Sequence, residues 1–176
     1  MVMCAVAAGV GFVGIQFFPV GGQLNPAVDN GHTIEAQMTP PVHVQQILNR
    51  SCKNCHSDAT VWPWYSRIAP MSLLIGKDVF NARKTMNFSK WSVQSGLSER
   101  SEIGLLAAAC ADIQVERMPL PRYVMLHPEA RLSADEKKAI CNWSAQETKR
   151  LAKQIREKSA SAQSTTKVDS TKSPSI

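Results

Sequence analysis

The feature that most constrains this chain is the pentapeptide Cys52-Lys53-Asn54-Cys55-His56. Two thiols separated by two residues lie about one helical turn apart, and a histidine follows at once. That is the spacing that attachment of a c-type haem demands. Each sulfur adds to one vinyl group of the porphyrin, and the imidazole that follows takes the iron as proximal ligand. A zinc site would want two further Cys or His ligands at matching spacing. A thioredoxin-like redox pair would want a βαβ pattern around it. Neither pattern is present. The expectation is one covalent haem c on Cys52 and Cys55, with His56 on the iron.

The rest of the chain reads as all-α. Pro40-Pro41 opens a helix on which Val44, Ile47, Leu48 and Cys52 recur at helical spacing, carrying the motif at its C-terminal end. His43 on that helix reads as an exposed side chain, and His32 before it as solvated. Met71 to Met86 forms a second helix with Leu74, Ile75, Val79, Ala82 and Met86 on one face. Asn87 to Trp91 breaks it. Ser98 reads as the N-cap of a helix from about Glu99 to Glu116, with Ile103, Leu106, Ala107, Cys110 and Ile113 inward. Ser133-Ala134-Asp135-Glu136 is a capping box for a last helix to about Lys153, with Ala139, Ile140 and Trp143 inward.

Two stretches could complete a haem pocket. Trp62, Trp64 and Tyr65 crowd around Pro63, and flat aromatic rings suit a porphyrin wall. Arg67 beside them could pair with a haem propionate. Later, Met118 precedes Pro119, which biases it towards extended geometry on a stiff loop suited to presenting a thioether to iron. Met71, Met86 and Met125 compete as thioethers but read as packing residues, and His127 could serve instead through nitrogen.

Residues 1–20 carry no charged side chain, and about twenty apolar residues span a bilayer core of roughly 30 Å. No basic n-region precedes them, and Phe17-Phe18-Pro19 is a poor cleavage end. The expectation is an uncleaved transmembrane anchor over 1–20, followed by a polar linker over 21–39. The haem domain would then occupy 40–156, and a disordered tail of Ser, Thr, Lys and Gln 157–176. Thioether attachment is made outside the cytoplasm in bacteria. This places the haem domain in the periplasm, on the inner membrane. Net charge is +6 in 176 residues, without a basic block interleaved with aromatics, so no nucleic-acid footprint is present. Of five cysteines, Cys110 and Cys141 remain open between a disulfide and two buried thiols.

Taken in order, Cys52-Lys53-Asn54-Cys55-His56-Ser57, Trp62-Pro63-Trp64-Tyr65-Ser66, Ile68-Ala69-Pro70, Asn87-Phe88-Ser89-Lys90-Trp91, Met118-Pro119, Tyr123, His127-Pro128-Glu129-Ala130, Leu132-Ser133 and Trp143 resemble the bacterial haem-binding domain family, which is similar to the small c-type cytochromes. The resemblance covers roughly Pro40 to Arg150. It implies covalent haem c at Cys52 and Cys55, His56 as proximal ligand and Met118 as distal ligand. It implies no substrate. Arg117 stands where that family often has an acidic residue or glycine before the Met-Pro step.

A membrane-anchored electron carrier without catalytic residues is the first functional expectation, working with a redox protein partner that the sequence leaves unknown. Its rival is a haem-based ligand sensor or peroxidase-like enzyme with an open sixth iron position. A third reading is an assembly role, docking through the basic tail.

Overall fold

The computed structural model describes residues 2–16, 25–91 and 99–169, and among them the regular structure is helical throughout. The helices are α1 (Val2–Gln16), α2 (Ile34–Met38), α3 (Val42–Ser51), α4 (Met71–Thr85), α5 (Glu99–Gln114), α6 (Pro121–Leu126) and α7 (Ala134–Asp169), with short 3₁₀ turns between them. Two compact units divide the chain. The first comprises Met1–Thr39 with Gln45–Gln94, the second Pro40–Val44 with Ser95–Ile176.

In the first unit Ile34, Met38, Ile47, Leu48, Ala69, Val79, Phe88 and Trp91 are buried. Val44, Ile47 and Leu48 are buried as their helical spacing on α3 predicts. Residues 25–39 are more than a linker. Thr33 caps α2 by accepting the Ala36 N–H, and Ile34 and Met38, four residues apart, turn one apolar face inward. Ile34 and Met38 alone are too few to register as a period, although a single helical turn suffices to bury both.

The expected span over 1–20 requires correction. Helix α1 has 15 residues, a rise of about 22 Å, and no helix among the described residues is long and apolar enough to cross a membrane. Phe17 to Val20 lie outside the described residues. At its last residue α1 is tied to the turn that precedes α4. Gln16 Oε1 accepts the Ala69 N–H at 3.0 Å, and its Nε2 donates to the Ala69 carbonyl at 3.5 Å.

Helix α4 turns its expected face inward only in part: Val79 is buried and Ile75, Ala82 and Met86 are half-buried, but Leu74 is exposed. Ser72, Gly76 and Val79 are buried, whereas Leu73, Leu74 and Phe80 are exposed. The polar Arg83 lies half-buried because the backbone there offers it a partner. Arg83 donates from Nε to the Ser57 carbonyl at 2.8 Å.

In the second unit α5 packs along α7. Cys110 and Cys141 form a disulfide with Cα atoms 5.1 Å apart. The buried Ser144 hydroxyl donates to the Leu106 carbonyl at 2.8 Å. Leu106, Ile113, Ile140 and Trp143 are buried, whereas Ala107 is exposed. The proposed N-cap Ser98 lies outside the described residues. The capping box of α7 closes in both directions, Glu136 N–H to Ser133 Oγ at 3.2 Å and Ser133 N–H to Glu136 Oε2 at 2.9 Å. Helix α7 continues to Asp169, past the expected boundary at residue 156. Glu147 with Arg150 and Lys153 with Glu157 form ion pairs on its surface. Such pairs at helical spacing, with the helix formers Ala160, Ala162 and Gln163, favour the helix where no apolar period exists.

Candidate haem-binding site

Helix α3 delivers the motif through a tight turn. The N–H groups of Cys52 and Lys53 both donate to the Leu48 carbonyl, at 3.0 and 2.9 Å. Those of Cys55 and His56 then fold back on the Cys52 carbonyl at 3.1 and 3.0 Å. Cys52, Cys55 and His56 all remain partly exposed at this turn.

Three contacts from one segment grip His56. Its Nδ1 lies 3.0 Å from the Met86 carbonyl oxygen, its ring stacks on Phe88 with centroids 5.9 Å apart, and its own carbonyl accepts the Phe88 N–H at 2.7 Å. A carbonyl can only accept, so Nδ1 carries the proton and Nε2 holds the lone pair. Among the described residues no hydrogen bond engages Nε2. Burial is the main force on the ring and holds its pKa below the ordinary value, against the backbone carbonyls of Met86 and Ala82. The imidazole is thus neutral and fixed in the tautomer that a metal ligand needs.

The Cys52 thiol is pushed up to about 12, first by burial and then by Cys55, with Arg50 pulling weakly the other way. Redox-active CxxC pairs are tuned in the opposite direction, towards thiolate.

The turn after the motif is clamped by residues far along the sequence. The Ser57 hydroxyl donates to the Lys53 carbonyl at 2.7 Å, and the Thr60 hydroxyl to the Asn54 carbonyl at 2.7 Å. Arg83 reaches Ser57 O, Thr60 Oγ1 and Asn25 Oδ1 at 2.8 to 2.9 Å. The buried Asp58 carboxylate accepts from Asn87 Nδ2 at 2.9 Å, and the Asp58 N–H donates to the Ser89 hydroxyl at 3.0 Å. The Asn-Phe-Ser-Lys-Trp stretch thereby acquires a physical meaning. Asn87 and Ser89 zip it to the residues just after His56, Phe88 stacks on the ring, and Trp91 fills the core.

A family model described as a haem-binding domain matches residues 10–146, most of the chain. The chain belongs to the haem-binding domain family. Haem is therefore the cofactor that its family membership supports. No curated protein and no solved structure matches this haem-binding domain. Its donor set fits the cofactor. Two thiols at the attachment spacing stand beside an imidazole whose remaining nitrogen is a neutral donor.

The other expected residues have these surroundings. Trp62 is half-buried and donates from Nε1 to Asn25 Oδ1 at 3.2 Å. Trp64 is 76% exposed and meets Tyr65 edge-on, with centroids 5.7 Å apart. Arg67 is exposed at the end of the 3₁₀ turn Trp64–Arg67. These residues share the first unit with the motif, and the aromatic contact drawn for His56 is Phe88.

Met118 belongs to the second unit, half-buried, on the loop leaving α5. The N–H groups of Arg117 and Met118 donate to the Asp112 carbonyl at 2.9 and 3.2 Å, around Glu116 in the left-handed region at φ 57°. The peptide before Pro119 is cis. His127 stacks on Tyr123 at 4.4 Å, with Nδ1 3.1 Å from Glu129 Oε1. Met125, read as a packing residue, is 74% exposed. Sequence reasoning missed Asp58, Arg83 and the Met86 carbonyl. The polar residues at 83, 87, 89 and 90 were the available signal, since four polar groups next to buried aromatics need partners.

Proposed function

We propose that this haem-binding domain carries one haem c, bonded covalently to Cys52 and Cys55, and works as a single-electron carrier in the bacterial periplasm. The observation that carries the reading is the hydrogen bond from His56 Nδ1 to the Met86 carbonyl. It fixes the ring, leaves Nε2 to hold iron, and makes that nitrogen a stronger donor. When bound, the haem supplies an iron centre that gains and loses one electron. The protein's part is to keep that centre rigid and shielded. His56, clamped by Met86 and Phe88, and Met118 are the residues that would hold the iron. With the iron held by two protein side chains, substrate would have no access to it and no residue would be catalytic. A thioether at the second position raises the potential. Trp62, Trp64 and Tyr65 would wall the ring, and Arg67 would pair with a propionate.

The Cys110–Cys141 disulfide supports an oxidising compartment, in line with attachment outside the cytoplasm. Association with the inner membrane would run through the N-terminal apolar segment, where Met3, Val6, Val10, Phe12 and Val13 are exposed. The electron partner is a redox protein, and the mild positive charge would favour one with an acidic face.

The test is the absorption spectrum of the oxidised protein, wild type and Met118→Ala. The wild type is expected to display the weak far-red band of methionine-ligated haem iron, and Met118→Ala to lose it. An unchanged spectrum in the variant would remove Met118 as ligand and leave His127 as the candidate. Rapid binding of carbon monoxide to the reduced wild type would favour the sensor or peroxidase reading instead.

A further inference from the structure

The segment that grips His56 is itself anchored to a buried ion cluster. The Asp58 side chain is 1% exposed. Its Oδ1 accepts from Asn87 Nδ2 at 2.9 Å and lies 3.7 Å from Arg83 Nε. Its Oδ2 lies 2.9 Å from Lys90 Nζ, an ion contact without hydrogen-bond alignment. One carboxylate and two cations thus share a site two residues along the chain from His56. Asn87, which the carboxylate holds, is flanked by the two residues that touch the imidazole, Met86 and Phe88.

Stability alone does not call for such a cluster. A buried ion pair can often be exchanged for well-packed apolar residues without loss, because desolvation offsets most of the attraction. Fixed charges do act on a neighbouring redox centre. Reduction adds one negative charge at the metal, which a nearby carboxylate opposes and a nearby cation favours. The effect is strongest where water is excluded.

We propose that Asp58, Arg83 and Lys90 form a charge cluster that sets the reduction potential of the haem held by His56. The Asp58 carboxylate holds the potential down, and Arg83 and Lys90 hold it up. Through Asn87, Asp58 is also a positioning residue for the Met86 carbonyl. No bond or proton changes at the cluster when the electron arrives; only its field acts. The inference rests on the reading of His56 as an axial ligand. Lys90 is 43% exposed, so its field is screened more than that of Asp58 and its effect is the smaller.

The experiment is an equilibrium redox titration of the full-length, haem-loaded protein as wild type, Asp58→Asn and Lys90→Gln, at one pH and ionic strength. Asp58→Asn keeps an oxygen acceptor for Asn87 and removes the charge, placing an amide N–H in place of the oxygen that faces Lys90. The expected result is a shift to higher potential for Asp58→Asn and a smaller shift to lower potential for Lys90→Gln. Lys90→Arg should restore the wild-type value. Shifts of the same sign in both variants would indicate structural loosening and overturn the proposal, as would no shift in either. Should Asp58→Asn fail to fold, the Lys90 pair decides: a lower potential in Lys90→Gln with the wild-type value in Lys90→Arg supports the proposal, and an unmoved or higher potential in Lys90→Gln, or an equal shift in Lys90→Arg, overturns it. Haem staining of the wild type on a denaturing gel separates the two levels. Absence of covalent haem would bring down the functional reading and this inference together, whereas haem-loaded variants with unmoved potentials would bring down the inference alone.

Discussion

Asn87 accepts the Ser89 N–H on Oδ1 at 2.9 Å and donates from Nδ2 to Asp58, so both ends of one buried amide are used. Replacing it by Ala would leave the Asp58 carboxylate short of a donor and uncap the 3₁₀ turn Phe88–Lys90. The expected cost is about 2–4 kcal/mol, read from the urea midpoint. At Thr39 the opposite sign is expected. This exposed, β-branched residue closes α2 in the left-handed region at φ 45°, which side chains of its kind rarely adopt. Thr39→Gly should stabilise by about 0.5–1 kcal/mol, the relief of strain exceeding the added chain entropy, and should raise the thermal midpoint. At this scale Cys52, Cys55 and His56 stand out in the sequence because thioether attachment asks for a local spacing. The Met86 carbonyl does not, since every residue has one and only the fold selects which carbonyl meets Nδ1.

Helices announced themselves where caps or periods are local. The Ser133 to Glu136 box and the Val44, Ile47, Leu48 stripe could be read directly and appear in the structure. The inward face of α4 was read in part: Val79 is buried as expected, but Ser72 and Gly76 share that side, and Arg83 is bonded to backbone carbonyl and hydroxyl oxygens rather than packed on carbon. The extent of α7 was underread because surface ion pairs and propensity leave no apolar signature. The α5–α7 pair was legible as two helices, but its disulfide was not, since pairing depends on a Cα separation that sequence does not give. That crosslink closes a stretch of 31 residues. Replacing both Cys110 and Cys141 by Ser should lower stability by about 3–4 kcal/mol through the freed entropy of the unfolded chain. A midpoint unchanged between the double variant and the wild type would mean that α5 and α7 hold together without it.

Across the whole molecule, an ordered series of short motifs carried the family further than any one of them. The motifs lie far apart in sequence, and within the first unit two of them converge. The Asn87 to Trp91 stretch closes on the turn that follows His56, with Asn87 as its cap and bonded to Asp58, and with Phe88 stacked on the imidazole. Membership of the haem-binding domain family follows from a match over residues 10–146. The central claim is that haem is bonded through Cys52 and Cys55. The most direct measurement is the intact mass, under denaturing conditions, of the full chain exported by a host competent in thioether attachment. The account predicts the mass of the chain plus one haem for the wild type, and the bare chain for Cys52→Ala with Cys55→Ala. A wild-type sample that contains haem before denaturation yet runs at the mass of the bare chain would contradict it.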